Sequence, residues 1–91
     1  MRIFKYAAPL SEIDDFVEVE MPTEAKIVSV INQRETLAIY AQVFDYDSTK
    51  QVRRFRVAGT GHPIDDLGVN ARFLGTVSFR GGGLVFHVWE V

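Results

Sequence analysis

Apolar and polar residues alternate at a period of two in one short run after another, and no run is long enough for a helix of three turns. That pattern limits the chain to β architectures. "RIFKY" (2–6) reads as a first strand, with Ile3 and Lys5 on one face and Phe4 and Tyr6 on the other. "AAPLSE" is expected to break it, because proline supplies no ladder donor. "DDFVEVEM" (14–21) sets Val17, Val19 and Met21 against Glu18 and Glu20, a strand near a sheet edge with an acidic outer face. "KIVSVIN" (26–32) is apolar on both faces and reads as a central strand. "NQRE" has the length of a hairpin turn, and "TLAIYAQVFDY" (36–46) follows as the longest apolar run, rich in strand formers.

The second half continues in the same way. "DYDSTK" (45–50) is a polar turn. "QVRRFRVAG" (51–59) opposes Phe55 and Val57 to Arg54 and Arg56. "IDDLGVNA" (64–71) has room for one helical turn capped by Asp65, and Gly68 and Asn70 stop it there. "RFLGTVSF" (72–79) places Phe73, Val77 and Phe79 on one face. "RGGG" (80–83) is a tight turn that needs positive φ. "LVFHVWEV" (84–91) is a last strand with both faces apolar. The expected fold is all-β: a single domain over residues 1–91, a small antiparallel sandwich or partly open barrel of about seven strands.

Size and composition narrow the function. A chain of 91 residues buries only about 60–65% of its unfolded surface, so a site should be a surface groove, a loop cluster or a subunit interface. Apolar residues make up 47% and charged residues 24%, which is too apolar for a disordered chain. With no cysteine there is no disulfide framework, thiolate metal site or cysteine nucleophile. The start lacks the apolar core of a secretory signal, and no apolar run approaches the ~20 residues of a membrane span. A cytoplasmic protein is expected. The net charge of −2 hides a mild dipole. Residues 1–46 hold four basic and eight acidic side chains, and residues 47–91 hold six and four. That is not the basic footprint of a general nucleic-acid binder.

The stretch with most chemical content is "VAGTGHPIDD" (57–66). Gly59, Thr60, Gly61 and His62 offer backbone donors, a hydroxyl and an imidazole to an anion, and Arg54 and Arg56 leave the preceding strand on one face. No lysine follows and no long helix opens behind the loop, so this is not a phosphate-loop or dinucleotide motif. The competing reading is a plain strand-exit turn. Trp89 or a tyrosine would supply a stacking face for a nucleotide-like ligand. His62 with Asp65 or Asp66 is the one arrangement that suggests a small hydrolase, and Thr60, His62 and Asp65 lie too close along the chain to align as a triad. Two histidines, His62 and His87, are too few for a structural metal site, and His87 on an apolar strand reads as a satisfied core or interface residue. No cofactor or metal is expected.

The segments "RIFKYAAPL", "MP" after a short alternating strand, "GTGHPI" and "FLGTVSFRGGGLVFHVWEV" together resemble a family of small uncharacterised proteins. These proteins occur in tailed-phage genomes and in bacterial genomes carrying prophages. The most specific parts are residues 59–64 and 82–90. The resemblance brings no catalytic residues. It implies a phage origin, action in the host cytoplasm, and a small non-enzymatic protein that interferes with host defence.

The leading expectation is a binding module that sequesters an anionic, nucleotide-like ligand at Arg54, Arg56, Gly59, Thr60, Gly61, His62 and Trp89. The alternative is an inhibitor that blocks a host protein, with Glu18 and Glu20 meeting a basic site. An apolar C-terminal strand left at a sheet edge would need a partner, so a homo-oligomer is also expected.

Overall fold

The computed structural model describes residues 1–45 and 49–91. Seven strands run in chain order: β1 (Arg2–Pro9), β2 (Phe16–Pro22), β3 (Lys26–Asn32), β4 (Thr36–Val43), β5 (Lys50–Gly59), β6 (Arg72–Phe79) and β7 (Leu84–Glu90). They form two antiparallel sheets, ordered β1-β4-β3 and β2-β5-β7-β6, which face each other without closing into a barrel. The all-β expectation holds. The polar turn expected over 45–50, and the end of the strand expected to reach Tyr46, fall on residues 46–48 and so lie outside the described residues.

The core is what the alternation selects. Val17 and Met21 of β2, Leu37, Ile39 and Ala41 of β4, Phe55 and Val57 of β5, Val77 and Phe79 of β6 and Val88 of β7 are buried between the sheets. Phe55, Phe79, Met21, Leu37, Ile39 and Val88 are the largest side chains wholly out of water. Each such burial stabilises the fold by about 1.5–3 kcal/mol. Tyr6 packs against the rim of this core, and burial pushes its phenol up from the ordinary value.

Four local expectations change. β1 does not stop before proline but runs through Pro9, which is tolerated because β1 is an edge strand. β3, read as central because it is apolar on both faces, is the other edge of its sheet, with Val28 and Ile31 exposed. The central strand is β4. Phe73 does not share a face with Val77 and Phe79. The register slips between Phe73 and Gly75, and this bulge turns Phe73 to the outer face, where it is more than half exposed. Residues 64–71 form no helical turn. They make two β-turns, closed by Leu67 N–H donating to Ile64 O at 3.1 Å and Ala71 N–H to Gly68 O at 3.1 Å.

β7 lies between β5 and β6, so the C-terminal strand is not an edge. The reason for expecting self-association through it is thereby removed. The 80–83 turn does use positive φ, at Arg80, Gly81 and Gly82. β2 is an edge strand with Glu18 and Glu20 exposed, as its pattern indicated. No helix among the described residues is long and apolar enough to cross a membrane.

Candidate functional site

β5 ends at Gly59, opposite Phe86 of β7, and the chain turns at once. His62 N–H donates to Gly59 O at 3.0 Å and Thr60 N–H donates to Val85 O at 3.2 Å. Gly61 takes φ +89°, the left-handed value that the third position of a type II turn demands. Two of the backbone donors that an anion nest would use therefore point into the protein. The His62 ring lies against Gly59, where a β-carbon would stand 3.0 Å from Cε1 and 3.1 Å from Nδ1. The missing side chain thus seats the imidazole.

Beside this turn is an open groove of about 330 Å³. Gly59, Thr60 and His62 form one wall and residues 83–86, at the start of β7, form the other. The first wall is polar. The second carries Leu84, Val85 and Phe86, all partly buried.

The two arginines do not converge on this groove. Arg56 is 6% exposed, and all three of its guanidinium nitrogens donate to the protein's own oxygens. Nε reaches Asp66 Oδ2 at 3.0 Å, Nη1 reaches Val57 O at 2.9 Å and Asp15 O at 3.3 Å, and Nη2 reaches Pro63 O at 3.1 Å. Arg56 is the tie that folds the 60–71 loop back across the outer face of β5. Arg54 is exposed and stacks its guanidinium on the Phe16 ring, 3.6 Å from the centroid. It sits five residues down the strand from Gly59 and faces β2.

Trp89 lies on the outer face of the same sheet, in register with Arg56 and Phe73, and is not a wall of the groove. Its ring packs edge-on against Phe73, with centroids 5.5 Å apart. Between Trp89 and the groove, His87 is bonded at both ring nitrogens, Nε2 to Thr60 Oγ1 and Nδ1 to Thr76 Oγ1, each at 2.9 Å. One nitrogen donates and the other accepts in either neutral tautomer, so the ring braces the turn against β6.

Asp66 faces Arg56, and no hydrogen bond joins His62 to Asp65 or Asp66 among the described residues. The pairing that a hydrolase reading needs is not formed. No three His, Cys, Asp or Glu residues cluster closely enough to hold a metal ion among the described residues.

Of the residues singled out from sequence, Gly59, Thr60 and His62 come together at the groove, and Gly61 shapes the turn that carries them. Arg54, Arg56 and Trp89 do not join them. The groove's second wall, 83–86, was missed because only strand pairing brings it to the turn. A further depression on the outer face of the other sheet, lined by Lys5 and Arg34 among others, was also missed. Its one sequence signal is "NQRE", a two-residue hairpin turn with neither glycine nor asparagine at its centre.

The model of a family described as a domain of unknown function (DUF7352) matches residues 1–91. No curated protein and no solved structure matches the chain.

Proposed function

The chain belongs to the DUF7352 family, and for it we propose a non-enzymatic module that sequesters an anionic, nucleotide-like small molecule in the groove beside the 59–62 turn. The observation that carries this reading is the contrast between the walls. Leu84 and Phe86 offer apolar surface to a planar ring, and Thr60 and His62 offer polar atoms across from it. The volume is at the lower end of the range for small-molecule sites, which suits one mononucleotide-sized ligand. The exposed His62 is the group that faces the acidic substituent, since Arg56 is committed to the loop. Binding without turnover is part of this reading: the imidazole that meets the Thr60 hydroxyl, His87, is held on its other side by the Thr76 hydroxyl and not by a carboxylate.

Calorimetry and thermal denaturation with nucleoside mono-, di- and cyclic phosphates test the reading. A ligand at 100 times its Kd stabilises the folded state by about 2.7 kcal/mol through mass action. The expected result is a rise in Tm with at least one member of the panel. His62→Ala, a change at an exposed side chain, should leave the unliganded Tm in place and remove that rise. No shift across the panel, or a shift that His62→Ala leaves intact, overturns the proposal.

A further inference from the structure

The depression on the outer face of the β1-β4-β3 sheet has a volume of about 270 Å³. Ala7 and Ala38 form its floor, and Lys5, Gln33, Arg34 and Thr36 form its rim. Every polar side chain on that rim can donate. The Lys5 ammonium donates to Gln33 Oε1 at 3.2 Å, and the Tyr40 hydroxyl donates to the same oxygen at 3.0 Å. With its carbonyl oxygen taken twice, the Gln33 carboxamide has its NH2 end left to offer. Among the described residues, no carboxylate lines the depression. None of the ion pairs among the described residues involves Lys5 or Arg34.

The backbone at this rim is unusual. Gln33 and Thr36 close the β3–β4 hairpin with reciprocal N–H···O bonds of 2.9 and 3.1 Å. The two residues between them, Arg34 and Glu35, have φ of 53° and 60°. This is the turn geometry that asparagine and glycine normally fill. Glu35 has a structural reason to be there: its carboxylate accepts from Asn32 Nδ2 at 3.1 Å and from Arg80 N–H at 3.0 Å. Arg34 makes no such bond among the described residues, yet it holds a left-handed conformation that a bulky side chain resists. The hairpin itself demands positive φ at both central residues, and the chain meets that demand with an arginine where asparagine or glycine would serve at less cost, which sets a cation on the rim of the depression.

The geometry points to a phosphoryl-binding site in this depression, separate from the groove beside the 59–62 turn and independent of it. Lys5 and Arg34 supply charge, and the Gln33 amide and Thr36 hydroxyl supply neutral donors to a tetrahedral oxyanion. The exposed Ala7 methyl offers apolar surface to the organic part of a phosphate monoester.

The experiment is titration of the whole chain with inorganic phosphate and with phenyl phosphate at constant ionic strength, followed by amide chemical shifts and by Tm. Saturable binding is expected, with shifts centred on Lys5, Gln33, Arg34 and Thr36, and with phenyl phosphate bound more tightly because its ring covers Ala7. Lys5→Gln and Arg34→Gly should each weaken it by roughly 10- to 100-fold, the loss of one charged hydrogen-bonding partner. Arg34→Gly should also raise the Tm of the unliganded protein, since glycine takes positive φ without cost, so lost binding cannot be blamed on a damaged fold. His62→Ala should change nothing here. Absence of saturable binding, binding that survives both Lys5→Gln and Arg34→Gly, or binding that His62→Ala removes, overturns the site.

Discussion

Arg53 and Arg56 lie three residues apart on β5, face opposite sides of the same sheet, and are both nearly removed from water, yet they hold different things. Arg53 points toward the other sheet at the end of the sandwich. It forms a two-pronged ion pair with Glu90 of β7, its Nη2 lying 2.9 Å from Oε1, and it reaches the Ala25 carbonyl with Nη1 at 2.6 Å. Its partners belong to the framework itself. Arg56 points the other way and ties down a loop whose carboxylate, Asp66, is half in water. A buried guanidinium between strands is a condition of the global fold. A buried guanidinium under a loop sets a local opening, which need not spread.

Substitutions can break the comparison in order of size. Glu90→Ala leaves the Arg53 charge buried and unpaired, and it should cost about 3 kcal/mol, read as a lower urea midpoint with the slope unchanged. The double change Arg53→Met with Glu90→Leu should recover most of that loss, because the penalty comes from the orphaned charge. Arg56→Met keeps the apolar stem, frees Asp66 to water and releases the loop. It should cost about 1–2 kcal/mol globally, and amide exchange over 60–71 should quicken well beyond what that loss explains. Equal slowing or quickening across all strands would erase the distinction between the two arginines.

A third ion pair sets the floor of the scale. The N-terminal ammonium of Met1 donates to Asp45 Oδ2 at 2.7 Å, and it holds the exposed Asp45 carboxyl below its ordinary value, with Arg2 adding a smaller pull. A depressed carboxyl stabilises the fold above its unfolded value and stops doing so as pH falls through the folded one. Asp45→Asn should therefore have the smallest effect of the three at neutral pH and should soften only the acid limb of a stability–pH curve. Added salt should erase even that.

How much of this was legible follows from where each side chain's environment originates. Alternation located the strands, and the bounds of β6 came out as Arg72–Phe79 in both sequence and structure. Alternation also placed Arg54 and Arg56 outward on β5, which is correct. It could not show that a loop would fold over Arg56, because that burial depends on Asp66 and Pro63 returning to the strand. Nor could it show the bulges. One extra residue, Leu74, between Phe73 and Gly75 reverses the face of Phe73 while leaving the apolar pattern looking continuous. β3 misled for a related reason. Its second apolar face is exposed, where a central strand would have been covered. At the candidate site, the turn was readable from its glycines, and the wall opposite was not, since pairing between β5 and β7 creates it.

Gly75 has one more effect. A β-carbon there would lie 2.9 Å from Val30 Cγ2, so the bulge lets β6 press directly onto β3. β1 and β2, the edges on the opposite side, make no comparable contact. The two sheets are thus bound like a book, with the spine along β3 and β6 and the fore-edge along β1 and β2. A side chain at position 75 would push those two strands apart at their seam.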